Sequence, residues 1–149
     1  MSKYTEYDTN LNPFINLADF ILRKSPNGTK FNTYKDKLNM SMSLHPVYIN
    51  NTFIPDHLRE SFSRVRLMSH NLKIETGRWS RIPRELRVCQ CNNTNVQSET
   101  HVLIDCELVH SIRLRYPMLN FRDINSLFNE STHIYLLCKY VHEVLKYFS

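Results

Sequence analysis

Three of the four cysteines and one of the seven histidines fall within eighteen residues, in the pattern Cys89-x-Cys91, then His101, then Cys106. Thiolates and neutral imidazole are the donors zinc favours, and four of them in a tetrahedron complete its coordination with no position left for water. The chemistry expected of Cys89, Cys91, His101 and Cys106 is therefore structural, with one Zn2+ holding a loop closed. A hydrolytic zinc site would need three protein ligands, an open water position and a neighbouring base. Glu99 is two residues from His101, but it reads as a carboxylate at a helix start, favoured there by the helix dipole. No catalytic residue is assigned, and the chain is not read as an enzyme. Unliganded buried thiols are the competing reading of the cluster. A Cys89–Cys91 disulfide is sterically awkward and disfavoured in a reducing compartment, and redox catalysis lacks its C-x-x-C pair.

The elements that must position these donors follow from periodicity. Cys89 and Cys91 are expected on a tight knuckle at the end of a short strand, with Asn92-Asn93-Thr94-Asn95 as the return of a small zinc-bound β-hairpin. Five residues advance an ideal helix by about 500°. His101 and Cys106 therefore share a face only if the helix between them ends or distorts, and an end near Asp105 is expected. Upstream, Asp56 is placed as the cap of a helix burying Leu58, Phe62 and Val65, whose neighbouring face of Arg59, Ser63, Arg66 and His70 points to solvent or ligand. Gly77 marks a break after it. Downstream the pattern predicts helices over about 107–115, stopped by Pro117, over 123–128, and over 132–148. The last carries the stripe Ile134, Leu137, Cys138, Val141, Leu145 and Phe148, capped by Asn129 or Ser131. Cys138 is expected to be a core thiol on that stripe.

The rest of the chain is polar. A helix is predicted from Pro13 to Leu22, a turn at residues 25–28, a weaker helix from Thr33 to Met42, and an extended run from His45 to Pro55 bounded by prolines. The fold class expected is mainly α: a polar segment over 1–55 with one or two helices, then a helical zinc-binding domain over 56–149. No apolar stretch approaches the ~20 residues of a spanning helix. The first residues lack a signal-peptide core, so an intracellular protein, nuclear or cytoplasmic, is expected.

The formal charge is +5, and its position matters more than its size. Between Arg59 and Arg87 eight basic residues face Glu60, Glu75 and Glu85, whereas elsewhere eleven bases meet eleven acids. A local surplus of this kind points to a polyanionic partner, with a solvated face as the bland alternative. Arg78, Arg81 and Arg84 recur at every third position beside Trp79, the only tryptophan. Trp79 is read first as a core anchor, and second as a platform on which bases stack.

Several stretches resemble a known family. These are Arg64-Val65-Arg66 with His70 and Leu72, Glu75-Thr76-Gly77-Arg78-Trp79, Ile82-Pro83-Arg84-Glu85 with Arg87 and Cys89, and His101-Val102-Leu103 with Cys106. Together they are similar to the C-terminal zinc-binding region of non-LTR (LINE-like) retrotransposon reverse transcriptases, over about Phe62 to Tyr116. The resemblance implies zinc ligation by Cys89, Cys91, His101 and Cys106, and a place near nucleic acid for Arg64, Arg66, Arg78 and Arg84. Only Gln90 separates the first two cysteines, where the family often has two or more residues. The Asp pair of a polymerase and the room for palm, fingers or endonuclease are missing, so polymerisation is not expected. The function anticipated is a zinc-binding module that binds RNA or DNA through Arg59, Arg64, Arg66, Arg78, Trp79, Arg81 and Arg84. The alternative is a zinc-stabilised module that docks a protein through its C-terminal helix.

Overall fold

The computed structural model describes residue 38, residues 45–48 and residues 53–149. The helices predicted over Pro13–Leu22 and Thr33–Met42, and the turn over 25–28, lie outside these residues apart from Leu38. Numbered among the described residues, the helices are α1 (Asp56–Arg66), α2 (Lys73–Trp79), α3 (His110–Leu114), α4 (Ile124–Asn129) and α5 (Ile134–Tyr147). The molecule is mainly helical, as expected. The anticipated hairpin is reduced to a single antiparallel bridge, Val88 with Val96, and no strand forms among the described residues.

The core is built by α1 and α5, which lie against each other. Leu58, Phe62 and Val65 of α1 and Leu137, Cys138, Tyr140, Val141 and Val144 of α5 are buried. These positions recur at helical spacing, so each helix presents one continuous apolar face. Cys138 is a core thiol, as predicted, and burial pushes it up to about 12. Phe62 meets Phe128 of α4 at 5.2 Å between ring centroids, and Tyr140 donates to the Leu103 carbonyl at 2.6 Å, tying α5 to the segment that carries His101. Leu38 and Val47, from before the boundary expected at residue 55, share this core, and His45 is buried against its Phe62.

Several local expectations are corrected. Residues 46–48 form a 3-10 turn rather than extended chain, since a proline at the first position of a turn has φ already set and gives up no needed N–H. The N-cap of α1 is Pro55, with Asp56 inside the first turn and paired with Arg59. His133, not Asn129 or Ser131, precedes α5. Asp123, not singled out as a cap by the sequence pattern, caps α4 and accepts from Ser126 N at 2.7 Å. Gly77 is no break, because α2 runs through it to Trp79.

Ser63 and Arg66 on the flank of α1 expected to face solvent, and His70 beyond the helix end, are also buried rather than exposed, each residue only 2% accessible. Tyr48 covers that flank, with its hydroxyl hydrogen-bonded to Ser63 and its ring 5.9 Å below the Arg66 guanidinium. His70 donates through Nε2 to Glu99 at 2.9 Å and accepts from Leu72 N through Nδ1 at 3.2 Å. His45 uses the same device: Nδ1 accepts from Val47 N at 3.1 Å, and Nε2 donates to the Phe128 carbonyl. The His45 ring is thereby fixed in one neutral tautomer.

Candidate functional site

The residues singled out by spacing converge. One donor atom from each of Cys89, Cys91, His101 and Cys106 lies within 4.8 Å of the other three. The sulfurs of Cys89 and Cys106 are 3.7 Å apart, and Cys91 Sγ is 3.3 Å from His101 Nε2. Zinc–sulfur bonds of about 2.3 Å and zinc–nitrogen bonds of about 2.0 Å in a tetrahedron demand edges of about 3.5–3.8 Å. The two distances lie close to those edges. A disulfide is not formed, and all four cysteines are free.

Local sequence explains how the donors meet. The Asn-rich return is a closed turn, in which Asn92 Oδ1 accepts from both Thr94 N and Asn95 N at 3.0 Å, and Asn93 takes a left-handed φ of 55°. Asn is among the few side chains that adopt that conformation readily. Asn93 N donates to Cys89 O at 2.9 Å and Cys89 N to Asn95 O at 2.7 Å, which turns Cys89 and Cys91 back on the ion site. On the other wall, Ser98 Oγ accepts from His101 N at 3.2 Å. Residues His101–Asp105 then form a π-helical turn closed by Cys106 N to His101 O at 2.7 Å. This wider i→i+5 turn places His101 and Cys106 on one side, and it ends at Asp105 as the spacing demanded. Such turns recur at functional sites.

The electrostatics favour a cation in the cluster. Burial lowers His101, which is therefore neutral at physiological pH with a lone pair to give. Burial works to raise the Cys89 thiol, but the Cys91 backbone N–H and the Gln97 amide outweigh it and hold that thiol below its ordinary value. Burial raises Cys91, and it pushes Cys106 up to about 12. Three clustered sulfurs, two buried and one half-buried, would give up their protons together to a bound metal ion. Three thiolates on a divalent ion leave one negative charge. Arg113 stands beside it, donating to the Cys106 carbonyl at 2.7 Å.

Sequence reasoning missed Gln97, Arg87 and Arg113. Gln97 Nε2 faces Cys89 Sγ at 3.8 Å and Gln90 Oε1 at 2.9 Å, while its Oε1 accepts from Lys73 N at 2.8 Å and its carbonyl from Ile74 N at 3.1 Å. It therefore fastens the start of α2 to the metal knuckle. Arg87 lies across Gly77 and donates to the carbonyls of Ile82 at 2.8 Å and Ile74 at 3.0 Å. Its charge marked it in the sequence as part of a basic surface, whereas its bonds are structural.

The seven residues predicted to meet nucleic acid divide. Arg66 is buried, which removes it from the solvent-facing set; Arg59 pairs with Asp56, and Arg64 with Glu60 at 2.7 Å. Arg64 also lines a cleft of about 310 Å³ with His57, His142 and Lys146. Arg78, Trp79, Arg81 and Arg84 come out together on one exposed segment, residues 78–86. Trp79 is no core anchor, being 64% exposed, with Leu86 at 63% and Ile82 at 40% beside it. Arg78 stands 3.7 Å from Glu75, while Arg81 and Arg84 have no carboxylate partner among the described residues. The stripe of α5, by contrast, is used in the core: Leu145 and Phe148 pack against it, and only Tyr135 and Tyr147 of that helix are exposed large apolar residues. No helix among the described residues is long and apolar enough to cross a membrane. No family model, curated protein or solved structure matches this chain.

Proposed function

We propose that this chain is a zinc-organised, non-catalytic module that binds nucleic acid, related to the C-terminal region of non-LTR retrotransposon reverse transcriptases. The kinship is supported by the residues alone. The binding reading is carried by one observation: Arg78, Trp79, Arg81 and Arg84 share an exposed segment that enters the metal knuckle at Cys89 and is braced by Arg87. Exposed guanidiniums on one projection, those of Arg81 and Arg84 without a carboxylate partner among the described residues, suit phosphate oxygens, which position a nucleic acid without reading its sequence. Zinc is the ion that best fits a closed Cys3His set. Four protein ligands leave it no open position for hydrolysis, so its role is to hold the knuckle and, through Gln97, the helix that carries the projection.

The test is a titration of metal-loaded protein against labelled RNA and DNA at several salt concentrations, with metal content measured on the same sample. One zinc per chain is expected, with affinity that falls steeply with salt and is lost on chelation. Replacing Arg78, Arg81 and Arg84 together with Ala should weaken binding at least tenfold and flatten the salt dependence. Salt-insensitive binding, or a triple variant that binds as before, would overturn the reading.

A further inference from the structure

We infer that the projection at residues 78–86 takes unpaired bases, so that single-stranded nucleic acid is the ligand class. The inference rests on the nucleic-acid reading above and adds to it the form of the strand. Within a duplex the base faces are covered by their neighbours, and a protein indole gains nothing by being displayed to them. A splayed base, by contrast, offers a free face on which an aromatic ring stacks whatever the sequence. Trp79 stands at the last position of α2, 64% exposed, with Ile82 and Leu86 as exposed apolar neighbours. Large exposed apolar side chains grouped on one short segment mark a binding surface more often than an accident of composition. The same segment also carries Glu85, so its three arginines leave it a net charge of +2.

The support beneath Trp79 is a hydrogen-bonded helix end that includes one unfavourable choice. Helix α2 ends with Ile82 N donating to Gly77 O at 2.8 Å, and Arg81 takes a left-handed φ of 57°. This is the helix-ending motif in which glycine is the residue normally found at that place. An arginine there carries a conformational cost that a glycine would not. The cost is understandable if the guanidinium, one residue before exposed Ile82 and two after Trp79, contacts the ligand. Backbone strain of this kind is kept where a side chain is needed.

The experiment uses the full chain, zinc-loaded, with one single-stranded oligonucleotide and a duplex of the same sequence. Because Trp79 is the only tryptophan, its fluorescence reports stacking directly. The single strand is expected to quench it and to bind at least tenfold more tightly than the duplex. Trp79→Ala should lower single-strand affinity on the order of ten- to a hundredfold, and Trp79→Phe less. Neither should change the slope of log affinity against log salt, which for three arginines on a single strand is about −2. Arg81→Gly should raise the thermal midpoint while making that slope shallower by about 0.7. Equal binding of duplex, no quenching, or a Trp79→Ala variant that binds the single strand as before would overturn the single-strand inference and leave the nucleic-acid reading standing. Absence of salt-dependent binding to either form would overturn both.

Discussion

Gln97 is the residue on which the metal knuckle and the projection both depend. Its amide nitrogen turns to Cys89 Sγ and Gln90, and its amide oxygen takes the N–H of Lys73 at the first turn of α2. Gln97→Ala would remove all three contacts and leave the Lys73 N–H without its acceptor. Loss of a hydrogen bond at such an exposed helix start costs about 0.5–1.5 kcal/mol, and removal of a residue that orients a metal ligand typically lowers metal affinity about 10- to 100-fold. Both effects are expected, by denaturant unfolding and by competition with a chromophoric chelator. An unchanged metal affinity would show that Gln97 serves α2 alone. The convergence of Cys89, Cys91, His101 and Cys106 was legible in the sequence, because thiols and an imidazole crowded into a short loop have few other uses. Gln97 was not, since an uncharged amide in a turn-rich stretch carries no signal until its partners, up to 24 residues away, are seen.

At the scale of elements, α2 shows where a rule of propensity reverses. A glycine inside a helix is worth about 1 kcal/mol less than alanine, so Gly77→Ala would ordinarily stabilise. Here a Cβ on residue 77 would sit 2.5 Å from Arg87 Cγ and 2.7 Å from its Cδ. The Arg87 side chain would have to swing away and drop its bonds to Ile82 O and Ile74 O. Gly77→Ala is therefore expected to destabilise the chain by about 1 kcal/mol or more, and to stabilise it by up to about 1 kcal/mol in an Arg87→Ala background. Unfolding of the four proteins of that double-mutant cycle checks the change of sign. The sequence pattern located α1, α4 and α5 because each has an apolar face with a clear period. It misjudged Gly77, whose reason lies in a side chain ten positions away, and it misjudged the flank of α1. Helical period says which residues share a face, but the burial of Ser63 and Arg66 was decided by Tyr48, from a segment the period does not reach.

For the molecule as a whole, His45 joins the start of the described chain to α1 and α4, and it does so only while neutral. It lies against Phe62 with ring centroids 4.8 Å apart, accepts from Val47 N and donates to the Phe128 carbonyl. Burial, opposed by the bond to Phe128 and assisted by the charge of Arg66, lowers it from an ordinary 6.5 to about 4. In the unfolded chain the ring takes up its proton near 6.5, whereas in the fold it does so near 4. Between those values the unfolded state binds more protons, so acid favours unfolding. The stabilising effect of the neutral ring is complete above about pH 6.5 and is lost progressively as the pH falls to about 4. The 2.5-unit difference corresponds to about 3 kcal/mol. Acid would also release a metal ion held by the cysteine cluster, which would hide this loss in a single titration. A His45→Gln variant keeps an N–H for the Phe128 carbonyl, does not titrate, and shares the metal site unchanged. The difference in unfolding free energy between the two proteins, measured at steps from pH 7 to pH 4, therefore isolates the ring. That difference should move by about 3 kcal/mol in favour of the variant as the pH falls, and parallel pH profiles would mean that His45 protonates in place without loss of its contacts.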